Sequence, residues 1–191
     1  MDDVTLHNMP KNTGWIEVIC GCMFSGKTEE LIRRLRRAQI AKQKVIIFKP
    51  KVDTRYSLDR IVSHSEQSLS STVVTNPLEI KELSKDAQVV GIDEGQFFSA
   101  ELVSVCEDLA KNGKRVLVAG LDQDYKGRPF EPIPQLLAVA EYITKTLAVC
   151  VVCGNPADRT QRTTKQQERV VVGAKDIYEA RCRQCFEPPA D

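Results

Sequence analysis

The stretch Gly21-Cys22-Met23-Phe24-Ser25-Gly26-Lys27-Thr28 constrains this chain more than any other. Glycine, four residues and then Gly-Lys-Thr is the spacing of a phosphate-binding loop. A loop closing on glycines aims successive backbone N–H groups at one point, and Gly26 lets the backbone approach an anion closely. Lys27 adds a flexible positive charge for the outer phosphates, and Thr28 offers a hydroxyl to Mg²⁺. The flanks agree. Trp15-Ile16-Glu17-Val18-Ile19-Cys20 reads as a strand leading in, and Glu29 onward reads as a helix whose N-terminus faces the phosphates.

At 191 residues the chain fits one domain, or one domain with a small appendage. Its 27 Lys and Arg against 26 Asp and Glu leave a formal charge of +1. That argues against nonspecific nucleic-acid binding as the main task, because a phosphate backbone rewards a strong positive excess. No apolar run approaches a membrane span. The start, Met1-Asp2-Asp3-Val4, has neither a basic nor an apolar signal region, so a cytoplasmic location is expected and residues 1–13 read as a loose leader. Seven cysteines in such a setting favour metal binding over disulfides.

The remaining pattern is strand and helix in alternation. On the first helix Leu31, Leu35 and Ala38 share a face with Ile32 beside them. The four arginines 33, 34, 36 and 37 fall mostly on the other face, read as a solvated surface. Val45–Phe48 is a fully apolar strand, and the charged loop after it makes Asp53 and Arg55 site candidates. Residues 60–74 read as two weak strands around a turn at Glu66-Gln67-Ser68, with His64 assigned no role. Asn76-Pro77-Leu78-Glu79 starts a helix by a capping box. The strand Val89–Ile92 ends in Asp93-Glu94, and an apolar strand ending in Asp is the usual companion of a phosphate loop. Glu94 is placed to activate a nucleophile. A helix capped by Ser99 and ended by Gly113 follows, with Cys106 as a packed thiol. Then come a strand at 115–120, a loop with Tyr125 and Phe130, a short helix at 134–140 and a strand at 143–149. This is an α/β core with a mostly parallel sheet covered on both faces.

The tail holds Cys150-x-x-Cys153 and Cys182-x-x-Cys185 with 28 residues between the pairs. Four thiolates complete a tetrahedral Zn²⁺ site with no open position, which is structural rather than catalytic. The metal staples the base of a long loop carrying Arg159, Arg162 and Tyr178, and anchoring both ends lowers the entropy of ordering it.

The phosphate loop, then Asp93-Glu94-Gly95-Gln96-Phe97-Phe98, then Gly120-Leu121-Asp122, then the two cysteine pairs, closely resemble the zinc-containing thymidine kinase family of animal cytosol and many bacteria. The resemblance spans residues 14–186; Cys22 departs from the family's common proline at a position whose backbone does the work. It implies a RecA-like core at 14–149 and a small zinc-bound lasso domain at 150–191. It implies ATP- and Mg²⁺-dependent transfer of a phosphoryl group to the 5′-hydroxyl of thymidine, with Glu94 as the general base. The loop residues Gly21 to Thr28, with Asp93 and Gln96, fall on the nucleotide and metal side. Met23, Phe98, Leu121, Tyr125, Phe130 and Tyr178 match the nucleoside pocket, and backbone near Val172 reads the pyrimidine edge. A homotetramer and feedback inhibition by thymidine triphosphate are further implications. From the motifs alone two other activities stay open. One is an ATPase in which Glu94 activates water. The other is a nucleic-acid zinc ribbon, against which the near-zero charge counts.

Overall fold

The structure, a computed structural model, describes residues 13–51, 60–62, 68–164 and 177–188. Asp53, Arg55, His64, Val172 and most of the leader and of the turn near 66 lie outside those residues.

Strand β1 (Trp15–Cys20) lies inside a six-stranded parallel sheet. Its partners are β2 (Val45–Pro50), β5 (Thr72–Val74), β6 (Val89–Ile92), β7 (Arg115–Gly120) and β8 (Tyr142–Lys145), in the order β5-β2-β6-β7-β1-β8. Strands buried on both sides need apolar residues at nearly every position, which is why β6 and most of β7 read as unbroken hydrophobic runs. Side chains alternate between faces. Ile19, Val89, Leu117 and Ala119 meet α1 (Lys27–Ile40) through Leu31, Ile32, Leu35 and Ala38. Val18, Val90, Ile92, Val116 and Val118 face the other way, against Ile80 of α2 (Pro77–Leu83), Leu102, Cys106 and Leu109 of α3 (Glu101–Lys111), and Ile133 and Leu136 of α4 (Ile133–Val139). Helix α1 lies so close to β6 that a Cβ on Gly91 would sit 2.7 Å from Leu35 Cδ1. Among the described residues no helix is long and apolar enough to cross a membrane.

Helix ends follow local chemistry with one exception. Asn76 and Glu79 form the expected capping box on α2: Leu78 N–H donates to Asn76 Oδ1 at 2.8 Å and Asn76 N–H to Glu79 Oε1 at 2.9 Å. Gly113, at φ +80°, ends α3. Ser99 does not cap α3: the N-cap is Ala100, and the Ser99 hydroxyl donates to Glu101 instead. The weak pair β3 (Arg60–Val62) and β4 (Ser68–Ser70) is antiparallel and outside the main sheet. The stretch expected as one strand at 143–149 is two. After β8 the chain leaves the sheet, and β9 (Ala148–Val149) pairs with β10 (Pro156–Ala157) beside the cysteines. The hairpin of β11 (Arg159–Arg162) and β12 (Tyr178–Arg181) completes this C-terminal unit.

The arginines of α1 are not uniformly solvated. Arg34 reaches across the sheet edge to Glu17 (2.7 Å), Glu30 (2.6 Å) and Thr144 (2.8 Å). Glu17 also accepts from Arg115 at 2.5 Å and from the Trp15 indole at 2.8 Å. One buried carboxylate on β1 thus joins α1 and β7, and Arg34 extends the network to β8. Burial pushes the Glu17 carboxyl up, but Arg115, Trp15 and Arg34 outweigh it and hold the group below its ordinary value. Removing one partner from a buried ion cluster leaves the others uncompensated. Glu17→Ala is therefore expected to lower unfolding free energy by about 3–5 kcal/mol in urea. The native value is the depressed one, so the carboxylate's contribution is complete above the ordinary carboxylate range and is lost as pH falls through the native value. The gap between wild type and Glu17→Gln should narrow over that acid interval.

Candidate active site

The phosphate loop forms where β1 ends and α1 begins. Gly21 (φ +143°) and Gly26 (φ +84°) take backbone angles that side chains resist, and Phe24 takes one too (φ +65°). A non-glycine residue held there is a strained position of the kind that gathers at functional sites. A Cβ on Gly21 would lie 2.2 Å from the Thr146 carbonyl, so only glycine fits under the segment after β8. The loop closes on itself. Lys27 Nζ donates to the Cys22 carbonyl at 2.7 Å, and Ser25 Oγ donates to the same carbonyl at 2.8 Å. Burial pushes the Lys27 ammonium below its ordinary value, while Glu94, Cys22, Asp93 and Asp122 pull it back.

Across from the loop, β6 ends in Asp93 and Glu94. Thr28 Oγ1 lies 3.3 Å from both oxygens of Asp93, and Asp93 Oδ1 accepts the N–H of Glu94 at 3.0 Å. A hydroxyl and a carboxylate in that relation are hard oxygen donors suited to Mg²⁺ beside a phosphate. Glu94 sits at φ +52°, a left-handed position, and its carboxylate has a different partner from that of Asp93. Its Oε2 accepts from Gln96 Nε2 at 2.6 Å, and Gln96 Oε1 accepts from Leu121 N–H at 3.0 Å. Gln96 is buried and brackets Glu94 to the end of β7.

Of the residues expected to line a nucleoside pocket, Met23, Tyr125 and Tyr178 form one buried cluster with Phe24, Leu121 and Ile177 against it. Phe98 belongs to the main core, and Phe130 meets Phe97 edge-on at 6.2 Å. Tyr125 rides on a turn fixed by Asp124, whose Oδ1 accepts the N–H of Lys126 (2.9 Å) and Arg128 (3.0 Å). The end of β7 also carries Asp122, buried and paired with Lys145 at 2.7 Å.

Cys150, Cys153, Cys182 and Cys185 bring their sulfurs within 4.8 Å of one another. Zinc with sulfur ligands at about 2.3 Å spaces them about 3.8 Å apart in a tetrahedron. The Cys153 and Cys182 sulfurs are 3.6 Å apart, far beyond a disulfide and close to that edge. Two tight turns present them, closed by Gly154 N–H to the Cys150 carbonyl and Cys185 N–H to the Cys182 carbonyl. The donor set fits a zinc ion.

The C-terminal unit also touches the phosphate loop directly, which no sequence pattern signalled. Met23 N–H donates to Thr160 Oγ1 at 3.0 Å, and Cys22 Sγ donates to the Ala157 carbonyl at 3.3 Å. Cys22 packs with Cys150, Cys182, Ala148, Ala157 and Ala180.

A parallel sheet with this loop after its first strand, and an Asp-Glu strand end facing it, defines a phosphate-loop α/β protein of the nucleotide-binding class. The thymidine kinase family model matches residues 14–186. The chain is 63% identical over 178 residues to the thymidine kinase of Rhodothermus sp. (strain ITI 518), spanning 93% of this chain and 84% of that one. It is 56% identical over 179 residues to the thymidine kinase of Bdellovibrio bacteriovorus, spanning 93% and 88%. The chain belongs to the thymidine kinase family.

Replacing the Thr160 hydroxyl by a methyl leaves the Met23 N–H buried without its acceptor. Thr160→Val should cost about 1–3 kcal/mol in denaturant unfolding. Thr160→Ser, which keeps the oxygen, should recover most of it.

Proposed function

We propose that this chain is a thymidine kinase of pyrimidine salvage. It transfers the γ-phosphoryl group of ATP to the 5′-hydroxyl of thymidine, and of deoxyuridine, giving the monophosphate and ADP. Family membership supports the reading. The observation that carries it to particular residues is the split pair at the end of β6. Asp93 meets the Thr28 hydroxyl, while Glu94 is held by Gln96.

The roles follow from that division. The N–H groups of residues 21–28 and the α1 N-terminus receive the phosphates. Lys27 exchanges the Cys22 carbonyl for phosphate oxygen, which relieves its burial. Thr28 and Asp93 would hold Mg²⁺, which when bound neutralises charge on the phosphoryl oxygens. Glu94 accepts the proton of the 5′-hydroxyl as that oxygen bonds to the γ-phosphorus and the bond to the leaving ADP oxygen breaks. The tyrosine and methionine cluster gives the neutral, planar base apolar walls. Val172 is proposed to contribute backbone contacts to its edge. Phe98 and Phe130 are proposed as the far side of that pocket. The four cysteines would hold one structural Zn²⁺ at the base of the lasso. On the family resemblance we further propose a cytoplasmic homotetramer inhibited by thymidine triphosphate, its base in the pocket and its phosphates on the loop.

The test is ADP release with and without thymidine. Release should depend on the nucleoside, and Glu94→Gln should slow single-turnover transfer about 10²–10⁴-fold with ATP binding retained. Release that ignores thymidine would make the protein an ATPase with water as acceptor. Transfer by Glu94→Gln within a few-fold of wild type would remove Glu94 as the base.

A further inference from the structure

Arg162 lies on β11 directly opposite Tyr178 of β12. Its guanidinium carbon stands 3.5 Å over the centre of the Tyr125 ring, a close cation–π contact. One of its terminal nitrogens donates to the Tyr178 hydroxyl at 2.8 Å. Tyr178 is held through its hydroxyl, and its ring centre, 5.3 Å from the guanidinium carbon, adds a second and longer cation–π contact. The whole side chain is buried.

We propose that Arg162 is the positioning residue of the nucleoside pocket, a planar key that sets two tyrosine rings from different parts of the chain at a fixed angle. The inference rests on the thymidine kinase reading above. Tyr125 comes from the turn after β7, Tyr178 from the C-terminal hairpin, and both pack on Met23 of the phosphate loop. Three segments far apart in sequence thus meet around one guanidinium. Each tyrosine alone could rotate or shift with its own loop. A cation that stacks on one ring and hydrogen-bonds the other removes that freedom. Stacking on a π face also offsets part of the cost of burying the charge. Only arginine does both, because it is flat and its donors lie in the plane. A lysine ammonium is a compact point charge that cannot stack. Thr160, two residues earlier on the same strand, faces the same side and holds the Met23 N–H. The strand therefore bears on the phosphate loop through Thr160 and on the aromatic wall through Arg162. Arg162 itself need not touch the nucleoside.

The experiment measures KM for thymidine and for ATP, zinc content, and calorimetric thymidine binding. It uses wild type, Arg162→Gln, Arg162→Lys, Tyr178→Phe and the double variant Arg162→Lys with Tyr178→Phe. Arg162→Gln should raise the thymidine KM about tenfold or more, since a small misplacement of a binding wall is costly. KM for ATP should stay within about twofold and zinc content should not change. Arg162→Lys should not restore thymidine affinity. Arg162→Lys should cost less when Tyr178 is already Phe, because the two changes remove a shared contact. Restoration by lysine, strict additivity, or a joint loss of thymidine affinity, ATP affinity and zinc would each overturn the proposal, the last by making Arg162 a packing residue only. Wild-type controls separate the two readings. Protein that binds thymidine but releases no ADP sinks phosphoryl transfer and still tests Arg162 by calorimetry. Protein that does not bind thymidine sinks both.

Discussion

The phosphate loop leans on the C-terminal unit through the bond from Met23 N–H to Thr160 Oγ1. A loop of this kind keeps several backbone N–H groups aimed inward with no sheet or helix of its own to hold them. Its left-handed Phe24 makes the open arrangement costly unless something outside fixes it. Here the support is the β11 strand and the cysteine cluster behind it. Cys22 inserts among Cys150, Cys182 and three alanines, residues small enough to let the two units approach closely. The long loop between the cysteine pairs is thus anchored against the loop proposed to carry the phosphates. The proposed pocket wall and phosphate cradle share one foundation.

Charge is distributed to suit. Lys27, Asp93, Glu94, Asp122 and Lys145 gather at the carboxyl ends of the strands, where parallel sheets place ligands. Lys27 is half-buried against its own loop, with its ammonium held below its ordinary value by desolvation, so an arriving polyphosphate would offset that cost. On the face toward α1, Glu17 draws Arg34 and Arg115 into one network and ties that helix to the sheet. That network holds the base of the loop still, because β1 and α1 flank it on both sides.

What could be read from the sequence was what is local in it. The phosphate loop, the Asp93-Glu94 strand end, the Asn76 capping box and the cysteine pairs each declare themselves within a few residues. The strand after 140 did not. The stretch from Ile143 to Val149 crosses from the main sheet into the cysteine unit, and the residue pattern there does not mark where the chain changes partners. Arg34 resembled its solvated neighbours because its partner lies 17 residues away on another element. Gln96 stood with the nucleotide-side residues by motif, whereas its hydrogen bonds run to Glu94 and Leu121. Thr160 and Arg162 carried no pattern at all. A threonine and an arginine on a short polar strand become meaningful only once Met23, Tyr125 and Tyr178 converge on them.

The central claim is that the cysteine unit supports the phosphate loop as well as the nucleoside pocket. Its most direct test is ATP binding, measured by calorimetry without thymidine, before and after a zinc-selective chelator has stripped the protein. The protein as purified should hold one zinc per chain. Stripping it should weaken ATP binding about tenfold or more while the parallel sheet persists, and one equivalent of zinc should restore it. ATP affinity that is the same with and without the metal would contradict the account, because the loop would then stand without the unit it rests on.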